Sequence, residues 1–476
     1  MRRGSGGLGA IIIAAGPLGS ALFSIVLTFI ISWNFVPEIV GLLAILELVA
    51  LFFVMVFTLG LDQAYVREHA GADDTLMLFA AAIVVPILLA TASAMTAAIV
   101  LSTLHVAILP NIGWTGTAIA LFYGVSSLVI RMLSTSLRMS AAPQLFAVLQ
   151  VVQRGVALVC LVSTLSITTT RSPLIVLTCY MTGAFASVVL HLVACRREVG
   201  AALANRFPVP LFKSLLAFGL PAAVSAFLYA LLSSSDRIAM AFFGTARDLG
   251  IYAVALSIAG SVTIFTSIFA IVWAPFIYGN ETRARNAEVI RPYLDIATLL
   301  TFLAGGAIAT IAWFFPYIFP KDYSGVAYLV PACMALPLLY ILAETFGIGI
   351  GVSRRMGYAT LASGISAAVA FSVSFLLVPG LGAKGAAAGI LAGSLCFLVV
   401  RTEISAILWY RLPSLRMYAL AIVYGIGAAV SLSSGAGLGV FFPLYWAAFC
   451  IGCLIVFQHR LAGCLALMKR TLLRRN

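Results

Sequence analysis

Long apolar runs separated by short polar gaps organise the whole chain. A helix needs about 20 apolar residues to cross a bilayer. On that measure the runs predict fourteen spanning helices, at about 9–33, 41–61, 75–104, 113–135, 144–167, 173–195, 211–234, 249–276, 293–317, 325–350, 357–378, 384–409, 415–434 and 438–460. The runs do not alternate polar with apolar, so an all-α membrane protein is expected and not an outer-membrane barrel. Pro17, Pro86, Pro221, Pro275, Pro331 and Pro337 fall inside runs. Spanning helices tolerate them where the freed backbone groups face protein. No gap is longer than about 20 residues, which leaves no room for a soluble domain.

Composition sharpens this picture. Of 476 residues, 63% are hydrophobic and 9% charged, where soluble domains run near half apolar and a quarter charged. The net charge of +13 raises the question of nucleic acid. The basic residues sit in the short gaps, however, and no segment is polar enough to form a basic binding face. Their distribution fixes an orientation instead. With the amino terminus placed in the cytoplasm, twenty-two of the 28 basic residues fall on that side and five on the other, with Arg154 inside a span. One missed span would swap the sides of every later loop and erase the bias. Arg2 and Arg3 precede an apolar run too long for a signal-peptide core, so an uncleaved first span and two cytoplasmic termini are expected.

Candidate chemistry is sparse. The eight cysteines lie almost all in apolar runs, and Cys450 and Cys453 form a CxxC inside a span with no second pair to complete a zinc site. Gly4, Gly6 and Gly9 match a GxGxxG that follows no strand, and no phosphate-binding P-loop occurs. No cofactor is expected. His69, His105, His191 and His459 form no cluster, and the Asn280–Thr282 sequon falls in an expected cytoplasmic loop. Gly347–Gly351 and Gly385–Gly389 are read as places where helix backbones approach closely.

Ionisable groups inside spans carry the most information, because each costs about 2.5–3.5 kcal/mol on insertion scales unless it faces a partner or a wet cavity. Glu47, Arg154 and Glu344 are such groups. Asp62 and Arg67 stand at the end of the second helix, Asp236 and Arg237 at the far end of the seventh, and Arg401 and Glu403 near the end of the twelfth. Arg154, next to Gln153 and near Gln150, is a candidate for binding phosphate oxygens, since guanidinium stays charged and binds them bidentately. Arg67, Arg138, Arg354 and Arg355 either join it at the cytoplasmic mouth of a cavity or simply obey the positive-inside rule. Glu47 and Glu344, with Asp62 and Asp236, either bind a coupling H+ or Na+ or serve as carboxyls bonded between helices.

A weak internal echo links Pro37–Gly41 with Ala246–Gly250, six helices apart, as in two parallel halves. Three stretches carry a more specific likeness. Gly60-Leu61-Asp62-Gln63-Ala64-Tyr65-Val66-Arg67 is one. Phe218–Pro221, Ser234–Arg237, Gly250–Tyr252 and Trp273–Phe276 form the second, and Gly382–Ala387 the third. In order and spacing they resemble the polysaccharide-export flippases of the multidrug/oligosaccharidyl-lipid/polysaccharide exporter superfamily. The resemblance implies two six-helix bundles, here 1–205 and 206–412, around a V-shaped cavity, with two extra helices in 413–476. It implies a non-enzymatic carrier of the bacterial inner membrane that moves an undecaprenyl-diphosphate-linked oligosaccharide outward by alternating access for surface polysaccharide biosynthesis. Partners would be that lipid-linked oligosaccharide, membrane lipid, H+ or Na+, and the polysaccharide polymerase machinery. A drug/cation antiporter of the same superfamily is the nearest alternative. A glycan polymerase or ligase would need a larger outward loop than any present.

Overall fold

A computed structural model describes residues 6–71, 74–109, 112–140, 143–262, 273 and 287–473. Among these residues the chain is all helix and turn. Thirteen helices are long and apolar enough to cross a membrane, in line with the all-α expectation. The second half of the expected eighth helix lies outside the described residues, as do the Asn280–Thr282 sequon, Arg283, Arg285, and Ala274–Phe276 of the second resemblance stretch. The chain forms two compact units, Met1–Ala230 and Leu231–Asn476.

The first unit contains α1 (Gly6–Asn34), α2 (Pro37–Phe57), α3 (Leu61–Glu68), α4 (Thr75–Phe79), α5 (Val85–Thr103), α6 (Gly113–Met139), α7 (Pro143–Ile167), α8 (Pro173–Ala194), α9 (Arg196–Ala204) and most of α10 (Val209–Leu232). Starts follow ordinary capping chemistry. Pro37 and Pro173 occupy first-turn positions, where their missing N–H costs nothing. Asp74 accepts from the backbone N–H groups of Leu76 at 2.9 Å and Met77 at 3.1 Å.

Two expected straight helices are interrupted. The second ends at Phe57, and the chain passes through Leu59 (φ 52°) and Gly60 (φ 67°) before α3 begins. A Cβ at Gly60 would stand 2.0 Å from the Gly219 carbonyl oxygen of α10. Glycine is therefore required there both by its positive φ and by the close approach. The third helix carries a π turn over Ala80–Val84, immediately before Pro86 of α5. That turn accommodates a residue that cannot donate to the helical ladder. Periodicity alone showed neither break. The interrupted stretch packs Leu61, Tyr65, Phe79, Leu128 and Met132 into one buried cluster.

The second unit continues with α11 (Ser235–Phe243), α12 (Ala246–Gly260), α13 (Ala287–Ala312), α14 (Phe315–Ile318), α15 (Val326–Cys333), α16 (Ala335–Phe346), α17 (Ile348–Val352), α18 (Gly357–Leu381), α19 (Ala383–Leu408), α20 (Leu415–Ser434) and α21 (Phe441–Leu473). The expected tenth helix is thus three short pieces. Small residues set its tightest packing. Cβ atoms at Gly385, Gly389 and Gly393 of α19 would stand 1.9–2.5 Å from Leu377, Ser374 and Ala370 of α18, respectively. This is close helix approach through a four-residue spacing of glycine. The last two spans share the core of this unit. Tyr424 of α20 donates to the Pro331 carbonyl at 2.6 Å and meets Trp446 of α21 at 5.2 Å between ring centroids.

Candidate functional site

In the first unit, α2 and α7 bring Glu47 and Arg154 together. Arg154 Nη2 donates to Glu47 Oε1 at 2.6 Å. Both residues lie mid-helix, so each supplies the partner that an ionised group at bilayer depth requires. The Arg154 guanidinium also stands 5.3 Å from the centroid of Tyr180 on α8, a cation–π distance. Gln153, the next residue along α7, donates to the Tyr123 hydroxyl of α6 at 3.1 Å, and the Tyr123 and Tyr180 rings are 6.4 Å apart. Four helices thereby contribute one polar cluster of Glu47, Tyr123, Gln153, Arg154 and Tyr180. The Arg154 side chain is 19% exposed and that of Glu47 39%, so the pair is open on the carboxylate side. Guanidinium has five N–H donors, and the ion pair uses one of them.

The other residues singled out in this unit are dispersed. Gln150 packs toward Gly16 of α1, away from the turn that Gln153 makes to Tyr123. Asp62, almost fully buried, receives Arg131 Nη2 at 2.8 Å and Nε at 3.3 Å, both on Oδ2. Arg131 was counted among the cytoplasmic-side cations near the end of the expected fourth helix, and α6 carries it inside, running on to Met139. Arg67, on the separate α3, lies 3.4 Å from Glu68 and places its guanidinium 4.3 Å from the Phe218 ring centroid. Arg138 is exposed near the end of α6. His191 is fully buried, with Nδ1 2.7 Å from the Ser187 carbonyl oxygen and Nε2 2.9 Å from Ser134 Oγ. Its proton is therefore assigned to Nδ1, and Nε2 accepts from the serine hydroxyl.

The second unit repeats the pairing with different chemistry. Glu344 Oε1 of α16 accepts from Arg401 Nη2 of α19 at 2.8 Å. The Arg401 stem passes over Gly347, where a Cβ would come within 2.7 Å of it. Its guanidinium lies 5.5 Å from the Phe397 ring centroid, and its buried Nε has no partner among the described residues. The sixth and fourth spans of the first unit are joined by the neutral His191–Ser134 pair. The twelfth and tenth spans of the second are joined by Arg401–Glu344. Asp236 is fully buried: Tyr252 donates to its Oδ2, and the Arg237 backbone N–H donates to Oδ1 at 2.7 Å. The Arg237 guanidinium turns back to the Ser233 carbonyl at 3.2 Å and Ser234 Oγ at 3.0 Å. Arg354 (φ 57°) and Arg355 are both exposed in the turn between α17 and α18.

The structure therefore joins Glu47 to Arg154 and gives Glu344, Asp62 and Asp236 a fixed partner each. Tyr123, Tyr180 and Arg131, which complete these contacts, carry little signal in sequence; two aromatic rings and one arginine look like ordinary helix residues until the facing helix is known. Tyr252 stood out only as part of the Gly250–Tyr252 resemblance, without its bond to Asp236.

No family model matches the chain, and no curated protein is similar to it in sequence. Solved structures are similar in fold. The lipid II flippase MurJ in an inward-closed conformation superposes with a TM-score of 0.61 at 11% identity, over 94% of this chain and 99% of that one. An inward-facing multidrug-resistance MATE family transporter of the MOP superfamily gives 0.55 at 14% identity, over 86% and 98%. At these identities the likeness is one of fold, and it extends over almost the full length of both neighbours.

Proposed function

We propose that this chain is a transporter of the inner membrane, with both termini cytoplasmic, that moves an undecaprenyl-diphosphate-linked oligosaccharide to the outer leaflet by alternating access. The observation that carries the reading is a guanidinium at bilayer depth whose only anionic partner among the described residues is a partly exposed carboxylate. An arginine held this way is neutralised when idle, yet it can exchange partners. A diphosphate offers more acceptor oxygens than Glu47 and binds guanidinium bidentately, so it displaces the carboxylate. The lipid tail stays in hydrocarbon while the hydrated head group is handed between fixed dipoles and charges.

Glu47 then becomes the coupling group. Once released from Arg154 it takes up a proton or a sodium ion, and re-formation of the pair expels the cargo. The fold shared with a lipid II flippase and a MATE transporter supports a carrier and not an enzyme. Its neighbours divide between lipid-linked and drug cargo, and the cationic member of the pair favours the anionic, lipid-linked class.

The test is genetic. Deleting the gene is expected to accumulate a lipid-linked oligosaccharide on the inner leaflet. Arg154→Ala should fail to restore surface glycan while remaining in the membrane, and Arg154→Lys should restore part of it. Normal glycan together with lost drug resistance in the deletion strain would overturn the reading in favour of a drug/cation antiporter.

A further inference from the structure

The second unit carries a feature that plays no part in the proposed transport site. Between α19 and α20 runs a groove of about 1130 Å³. Its walls are apolar, with Leu391, Leu395 and Leu398 on one side and Ile422 and Ile426 on the other. Lys384 stands at one end, and Glu403 with Tyr418 at the other. Nineteen residues of α19 separate those ends, about 28 Å at 1.5 Å per residue, close to the depth of the hydrocarbon layer. Ile422 and Ile426 are 61% and 56% exposed, so the groove opens outward.

At the Tyr418 end a second cavity of about 450 Å³ adjoins the groove, and Tyr418 lines both. Its chemistry is the opposite. Arg291 of α13, Arg411 of the α19–α20 connection and Arg416 of α20 all line it, against the single carboxylate of Asp295. Arg411 is held by Glu403 at 2.7 Å, and Arg416 approaches Asp295 at 3.7 Å. Arg291 is exposed and makes no ion pair among the described residues. Three guanidiniums against the two carboxylates of Asp295 and Glu403 leave a net positive cup at a membrane surface, with Arg291 the cation that has no ion-pair partner among the described residues. An apolar channel leads straight out of it, and a tyrosine stands at the junction, where its amphipathic ring belongs.

We infer that this composite site holds a phospholipid with an anionic head group, its phosphate among Arg291, Arg411 and Arg416 and its acyl chain along the α19–α20 groove. Each half alone selects something broader. The cup would take any phosphate, and the groove any acyl chain. Their contiguity selects a molecule with both parts, and basic pockets between membrane helices bind such head groups. The inference does not depend on the cargo of the transporter.

The test uses the full-length protein in detergent, with phosphatidylglycerol and phosphatidylcholine of identical acyl chains as probes and native mass spectrometry as the readout. One phosphatidylglycerol should be retained with about a tenfold preference over phosphatidylcholine, the scale expected of a few surface arginines. Arg291→Glu, a change at an exposed side chain with no ion pair among the described residues, should lower that retention by about fivefold or more. Ala392→Phe, which narrows the groove, should lower retention of both lipids. Monodisperse elution and an unchanged melting temperature in phosphatidylcholine serve as the fold control. Equal retention of the two lipids overturns the inference, as does an Arg291→Glu variant that still prefers phosphatidylglycerol. Displacement of the bound lipid's effect on melting by inorganic phosphate alone would show a soluble-anion site and overturn it equally. Should Ala392→Phe fail to fold, Arg291→Glu decides by itself.

Discussion

Replacing Glu47 by Gln and Arg154 by Gln, singly and together, measures what the pair between α2 and α7 contributes. The two side chains meet at 2.6 Å, which puts their charge centres about 4 Å apart. At that separation the attraction is about 1 kcal/mol in water and about 4 kcal/mol at the effective dielectric of a protein surface. Arg154 is shielded, but Glu47 is 39% exposed, so solvent screening lowers the upper figure. We expect a coupling energy of about 2 kcal/mol. Neutral hydrogen bonds between membrane helices average about 0.6 kcal/mol in the same kind of cycle, so the ionic character of the contact is decidable. Reversible unfolding of the purified protein in mixed micelles provides the assay. The Glu47→Gln single variant should be less stable than the double variant, because it leaves an unpaired guanidinium at bilayer depth. A coupling energy at or below about 0.6 kcal/mol, or a double variant no better than its worse parent, would refute the ion-pair description and the partner-exchange mechanism with it.

Three further outcomes follow from the packing. Gly389→Val should abolish stable accumulation in the membrane, because even its Cβ would stand 1.9 Å from Ser374 Oγ, whereas Gly380→Ala, with nothing within 4 Å, should be neutral by membrane immunoblot. Arg131→Ala strands a carboxylate that is 7% exposed; its own half-exposed guanidinium tempers the loss to about 1–2 kcal/mol, and adding Asp62→Asn should recover part of the melting temperature. Arg354→Gly should raise stability by about 0.5 kcal/mol, since relief of a left-handed conformation outweighs the extra freedom of glycine in the unfolded chain; a lowered melting temperature would count against strain at that turn.

Much of the architecture was legible from apolar run length, because the cost of unsatisfied backbone in hydrocarbon leaves the chain few alternatives. The glycines at 385 and 389 announced a close helix contact, and the structure supplies their partners on α18. What run length does not encode is where a helix stops and restarts inside one run. Leu59–Gly60 and the three-piece stretch from Val326 to Val352 are as apolar as the spans around them, and their breaks arise from tertiary packing. The candidate site was half legible for a similar reason. Glu47 and Arg154 stood out because charge inside a span is costly. That they are each other's partners follows only from the crossing of α2 and α7. Arg131 and Arg401 were counted among the cytoplasmic-side cations because they lie near run ends, and their carboxylate partners on facing helices follow only from the packing.

The Glu47–Arg154 contact joins residues 107 positions apart, and a ribosome adds roughly 5–20 residues per second. For some 5–20 s of synthesis, therefore, the acidic helix is made while its basic mate does not yet exist. That helix is the most apolar of the thirteen candidate spans, enough to carry a lone carboxyl into the bilayer before translation catches up. Closure of the contact with Arg154 then marks the arrival of the fifth span, making the pair a checkpoint in biogenesis as well as a contact in the finished protein.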